Sequence, residues 1–253
     1  MQWYRVNNRG TPGILNRSQF PIVVGALLGA GIGNKAVFWL DRADLWQTLF
    51  TTPAAWFMGQ SMVGGLLGGL LGVETAKKLI GRKESTGDRF VYPILLALCI
   101  GRVGCFVAGL SDGTFGNPSA LPWAVDFGDG IPRHPTQLYE IVFTGVLWMT
   151  LARWQNRLSI VSGLQFKLML SGYLVWRLLI DFIKPVFFEW PWGLSGIQWT
   201  CLIALIVYLP GVWNSMRQLR TRLRGLLKIP PAVIPGLTRD PGSLVKSSGP
   251  NTK

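Results

Sequence analysis

Six apolar runs alternate with clusters of lysine and arginine, and this alternation restricts the fold more than any other feature. The runs lie near residues 21–40, 54–74, 90–110, 138–152, 160–183 and 195–213. A helix needs about 20 apolar residues to cross the hydrocarbon core of a bilayer. The fold class expected is therefore all-α: a polytopic membrane helix bundle of about six transmembrane helices. Only 15% of the residues are charged and 12 are tryptophan, a balance foreign to a soluble domain of this length. The net charge of +13 does not point to nucleic acid, because the basic residues stand in short blocks between the apolar runs.

Those blocks set the orientation. Arg5, Arg9 and Arg17 precede the first run, and Lys77, Lys78, Arg82, Lys83 and Arg89 follow the second. Arg153 and Arg157 follow the fourth, and a basic tail with Arg217, Arg220, Arg222, Arg224 and Lys228 follows the last. The intervening connections hold Arg42, Arg133 and Lys184 alone. Basic loops resist translocation, so both termini are expected to be cytoplasmic and the loop from Leu110 to Thr136 outside. Residues 1–20 read as a cytoplasmic segment without a cleavable signal pattern, and 21–213 as the membrane domain. Residues 214–253 read as a basic amphipathic segment followed by a disordered tail.

With that orientation, five ionisable residues converge on the outer leaflet. Arg102 lies toward the outer end of the third run, His134 and Glu140 bracket the start of the fourth, and Arg177 and Asp181 end the fifth. An isolated charge in hydrocarbon costs roughly 2.5 to 3.5 kcal/mol on insertion scales, so such a cluster implies a polar cavity. The planar guanidinium fork suits phosphate oxygens, which makes Arg102 and Arg177 candidates to hold an anionic phospholipid headgroup. Gly101 and Gly104 leave room beside Arg102 for a headgroup or another helix. Arg177 and Asp181, four apart, also fit a simple intrahelical ion pair. His134, the single histidine, is either a general base or a residue that fixes a turn. Tyr139 and Trp123 suit an interfacial aromatic belt, while Gln137 and Glu140 open the fourth helix.

Ser61, Gly65 and Gly69 form one small-residue stripe in the second run, and Gly64, Gly68 and Gly72 form the adjacent one. Helix packing explains both. Lys35 is expected to snorkel past Phe38 and Trp39 to the surface. Cys99, Cys105 and Cys201 have neither disulfide nor zinc spacing and read as packing residues.

Three segments carry a specific likeness: GRVGCF from Gly101, LPWAVDF from Leu121 and, most distinctive, PRHPTQLYE from Pro132 to Glu140. Together with GGLLGGLLG in the second run, Arg177 with Asp181, and Gly196 with Gln198, they resemble the bacterial prolipoprotein diacylglyceryl transferases over roughly residues 25–212. The resemblance implies an enzyme of the bacterial inner membrane that moves a diacylglyceryl group from phosphatidylglycerol to the cysteine thiol of a lipobox-containing preprolipoprotein. It implies no metal or other cofactor. Arg102 would hold the lipid phosphate, with Gly101, Gly104, Gly113, Arg133, Gln137, Tyr139 and Glu140 around the substrate. Arg177 would lie near the reacting headgroup; Asp181 beside it, and His134 as a stand-in for a family histidine that Val63 replaces, complete the candidate catalytic residues.

The departures fall among the acid-base residues. Where the family usually has a histidine directly before GGLLG, this chain has Val63. Cys105 replaces a common asparagine, Leu110 an acid, and Asp181 a glutamate. The family pattern also begins with a further span, where here a short polar segment stands. A non-catalytic protein that binds lipid or lipoprotein precursors on the same scaffold is the alternative reading.

Overall fold

The computed structural model describes residues 20–82 and 84–228. Among the described residues seven α-helices follow in chain order: α1 (Phe20–Asp41), short α2 (Trp46–Thr51), α3 (Met62–Leu79), α4 (Val91–Ala108), α5 (Thr136–Leu158), α6 (Leu164–Ile180) and α7 (Gly196–Lys228). Two-residue strands β1 (Val125–Asp126) and β2 (Pro132–Arg133) pair antiparallel in the loop before α5, with Val125 opposite Arg133. The six long helices correspond to the six apolar runs. By length and composition three segments suffice to cross a membrane: Phe20–Asp41, Gly87–Asp112 and Gly196–Gly225. The segment expected at 1–20, apart from Phe20, and the tail expected over 230–253 lie outside the described residues.

The bundle is apolar on its outside. Leu27 of α1 is 69% exposed, Val107 of α4 80% and Val207 of α7 74%, a distribution that fits lipid as the surrounding solvent. At the centre stands α6, with Leu164, Met169, Leu170, Tyr173 and Leu174 fully buried. It packs against α5 and α7, α4 packs on α5, and α1 lies against α3 and the start of α7.

The second apolar run does not become one helix. Pro53 opens a 3₁₀ turn over Pro53–Phe57, and Gly59 takes φ +62°, so the α-helix begins only at Met62. Ser61 caps it, its hydroxyl accepting from the Gly64 N–H at 3.3 Å, while the Asn34 side chain accepts from the Ser61 N–H. The broken segment leaves carbonyls without helical partners, and Lys35 takes them. Its Nζ donates to the carbonyls of Phe57, Met58 and Gly59 at 2.8, 3.0 and 2.9 Å. The expected snorkelling of Lys35 to the surface is therefore corrected: unsatisfied carbonyls nearby are a better destination for an ammonium than a longer reach to water.

One glycine stripe of α3 forms a seam. A Cβ added at Gly64, Gly68 or Gly72 would meet the carbonyl of Gly33, Gly29 or Gly25 on α1, and the converse holds for each partner. Gly65 and Gly69 face α1 at ordinary contact distance, and Gly65 lacks any closer neighbour. The backbones thus touch along one stripe only. At the other end of the bundle, Asp88 accepts from the N–H groups of Gly163 and Phe166 at 2.6 and 2.9 Å and so caps α6. There α7 continues through Pro210 into its basic stretch, and Arg222 donates to the Ile160 carbonyl at 2.8 Å.

Candidate active site

Three helices bring their charges to one point. Glu140, in the first turns of α5 and 1% exposed, lies between Arg102 of α4 and Arg177 of α6. Its Oε1 ion-pairs with Arg102 Nε at 3.0 Å, and its Oε2 accepts from Arg177 Nη1 at 3.3 Å. The Tyr173 hydroxyl, one turn before Arg177, donates to Oε1 at 2.7 Å. Arg177 Nη2 donates to Asp181 Oδ1 at 3.1 Å, and the Ser195 hydroxyl donates to Asp181 Oδ2 at 2.7 Å. Two cations and two carboxylates balance each other in this array. Pairing is what makes charges tolerable at such depth.

The array borders a cavity of about 530 Å³, with Arg102, Arg177, Asp181 and Gly113 in its wall. Asp41 from the end of α1, Cys105 and Lys184 also line it. The two arginines present themselves differently. Arg177 spends both terminal nitrogens on carboxylates, whereas among the described residues the terminal nitrogens of Arg102 have only the Cys105 sulfur, 3.9 Å from Nη1. Arg102 is thus the guanidinium with donors to offer an anion in the cavity.

The loop between α4 and α5 covers this end of the bundle. Asp126 Oδ1 gathers the N–H groups of Gly128, Asp129 and Gly130 at 2.8, 3.1 and 3.0 Å. Arg133 pairs with Asp129 at 2.6 Å and lies over the Phe115 ring. This hydrogen-bonded pairing lowers the Asp129 pKa and raises that of Arg133. His134 stands in the same loop rather than in the cavity wall. Its N–H donates to the Asn117 carbonyl, and its own carbonyl accepts from Gly116. Gly116 leaves no room for a side chain: a Cβ there would lie 2.6 Å from that of His134. The Trp123 indole donates to the Tyr139 hydroxyl at 2.8 Å, and that hydroxyl lies 3.2 Å from His134 Nδ1.

Of the residues singled out from the sequence, Arg102, Glu140, Arg177 and Asp181 come together, and Gly113 joins them at the cavity. Arg133, His134 and Tyr139 form a separate group in the loop. Gly101 faces Met62, whose Cε would lie 3.2 Å from an added Cβ, while Gly104 has open space beside it. Gln137 is buried, and among the described residues neither of its side-chain amide atoms has a hydrogen-bond partner. Val63 is buried among Leu98, Leu170, Tyr173 and Cys201. Tyr173, Asp41, Ser195 and Lys184 were not singled out by sequence reasoning. Tyr173 precedes Arg177 by four residues, a spacing that would have placed it on the same helix face.

A model of the prolipoprotein diacylglyceryl transferases matches residues 5–214. The chain belongs to this family. It is 29% identical over 195 residues to the phosphatidylglycerol–prolipoprotein diacylglyceryl transferase of Bordetella parapertussis, covering 71% of this chain and 70% of that one. To the enzyme of the same name from Idiomarina loihiensis it is 31% identical over 209 residues, 78% of this chain and 75% of the other. The Bordetella avium enzyme is 35% identical over 171 residues, 64% of this chain and 60% of its own length. Membership of the family makes the chain a transferase, and its apolar helices fit a membrane protein.

Proposed function

We propose that this transferase moves the diacylglyceryl group of phosphatidylglycerol to the thiol of a lipobox cysteine at the outer leaflet of the bacterial inner membrane. All six long helices cross the bilayer in this reading, both termini are cytoplasmic, and the Asp126 loop is outside. The observation that carries it is the cavity wall in which Arg102 keeps its terminal nitrogens for an anion while Glu140 and Asp181 hold Arg177. Arg102 binds the lipid phosphate. Arg177, set by its two carboxylates, supports the charge that grows on the departing glycerol phosphate. Gly113 and Gly104 leave space for the headgroup and the acceptor peptide. Gln137, with its free amide, supplies a further polar contact, and Arg133, His134 and Tyr139 hold the loop over the site.

The test is transfer by the purified protein from phosphatidylglycerol vesicles to a lipobox peptide, read as the mass added to its cysteine. Wild type is expected to form the thioether. Arg102→Lys keeps the charge but loses the fork, and should lower transfer with a raised requirement for lipid. Retention of phosphatidylglycerol without any transfer would favour the alternative, a lipid- or precursor-binding protein on this scaffold.

A further inference from the structure

Lys184 stands in the turn after α6, half-buried in the wall of the same cavity as Arg102 and Arg177. Its backbone N–H donates to the Asp181 carbonyl at 3.2 Å, and the carbonyl of its neighbour Ile183 accepts from the Asn117 N–H at 2.8 Å. This stitch between the turn and the outer loop fixes where the lysine leaves the backbone. Among the described residues its ammonium has neither an ion pair nor a hydrogen bond. Among the described residues it is the single lysine lining the cavity, and no histidine lines it.

The other candidates to accept a proton there are engaged or mismatched. Asp181 is held by Arg177 and Ser195, Asp41 accepts from the Ile197 N–H at 3.0 Å, and Asp112 accepts from the Thr114 hydroxyl. A carboxylate with a reference pKa near 4 is also some four units too weak to take the proton of a thiol near 8.5. A neutral amine is not.

We infer that Lys184 is a catalytic residue whose neutral amine takes the proton of the acceptor thiol as the sulfur attacks the glyceryl carbon of the bound phospholipid. The inference rests on the transferase reading above. The S–H bond breaks as the Nζ–H bond forms. The new S–C bond forms while the carbon–oxygen bond to phosphate breaks, and that electron pair leaves with glycerol phosphate. The ammonium then returns its proton to water, so each turnover releases one proton.

The surroundings suit this role. Withdrawal from water, then the positive charges of Arg177 and Arg102, push Lys184 down to about 7, against the opposing pull of Asp181 and Glu140. Asp41 and Arg42 at the end of α1, and Asp112 from the loop, are the other charged groups at this cavity. Wild-type transfer is expected to rise about tenfold per pH unit below 7 and then level off. Lys184→Arg keeps length and charge but cannot deprotonate. It should lose on the order of a hundredfold at neutral pH, the low end for a general base, and its rising limb should move to the thiol's own range, near 8.5.

Two readouts decide between a base and a mere positive charge. An arginine variant with a wild-type rate and an unmoved limb overturns the role of Lys184 while leaving the transferase reading intact. Absence of transfer by wild type at any pH overturns both. Trace acetylation of the folded wild type at pH 7 needs no variant: Lys184 should react ahead of the exposed Lys78, and phosphatidylglycerol should protect it. Equal labelling of the two lysines would overturn the inference even where Lys184→Arg fails to fold.

Discussion

Replacing Glu140 with glutamine removes one charge from a balanced array and almost no volume. The carboxylate lies 3.0 Å from Arg102 and 3.3 Å from Arg177. At an effective dielectric near 20, each contact corresponds to about 5 kcal/mol of gross attraction. Glutamine no longer requires burial of a carboxylate charge, which returns several kcal/mol, and it still accepts from Tyr173. Measured losses for one broken buried pair, about 3 to 5 kcal/mol, are what this difference leaves. For a domain of this size each kcal/mol shifts the midpoint of unfolding by about 2–4 °C. The variant is therefore expected to unfold some 6–20 °C below wild type in neutral detergent, followed by tryptophan fluorescence. The uncompensated guanidinium should make it respond more strongly than wild type to added phosphatidylglycerol, because the lipid brings the missing negative charge. The double variant Arg102→Gln, Glu140→Gln restores the balance and should recover part of the loss. A shift below 3 °C in Glu140→Gln, with no differential response to lipid, would refute the view that this carboxylate neutralises two buried arginines.

Three further outcomes are expected. Gly68→Leu, which forces a side chain between α1 and α3, should destabilise by about 1 to 3 kcal/mol or more, whereas Gly65→Ala should be nearly neutral; equal effects in unfolding experiments would dismiss the one-stripe seam. A cysteine at Asp129 should react with an impermeant maleimide in intact cells, and a cysteine at Arg82 only after permeabilisation; the reverse pattern would invert the proposed topology. His134→Gln retains a hydrogen bond to Tyr139 and should keep the pH limb of transfer, at a modest cost in rate; disappearance of the limb would return the proton-accepting role to His134.

The helix count was legible because each run approaches the thickness of a membrane and needs no knowledge of its partners. The break in the second run was also written locally, in Pro53 and Gly59, but a continuous apolar composition hid it. Arg177 and Asp181 were readable as a pair because four residues bring two side chains to one helix face. Glu140 was different. Its partners come from α4 and α6, and a single sequence carries no signal for which distant cations a carboxylate meets. The same limit concealed Gly25, Gly29 and Gly33: the glycines of α3 announced a close approach without naming its partner. Lys184 entered the reading as a loop charge for orientation. Its place in a cavity wall depends on the Asn117–Ile183 contact, which only the fold supplies.

The seam between α1 and α3 has a mechanical consequence. Side chains between helices act as springs, changing rotamer when one helix slides, but here carbonyl meets Cα with nothing to yield. The two helices therefore move as one stiff plate, which carries Asp41 and Ser61 to the cavity wall at its edge. In the proposed reaction a two-tailed lipid would meet less resistance beside the α4 end and the loop that follows it than across this seam.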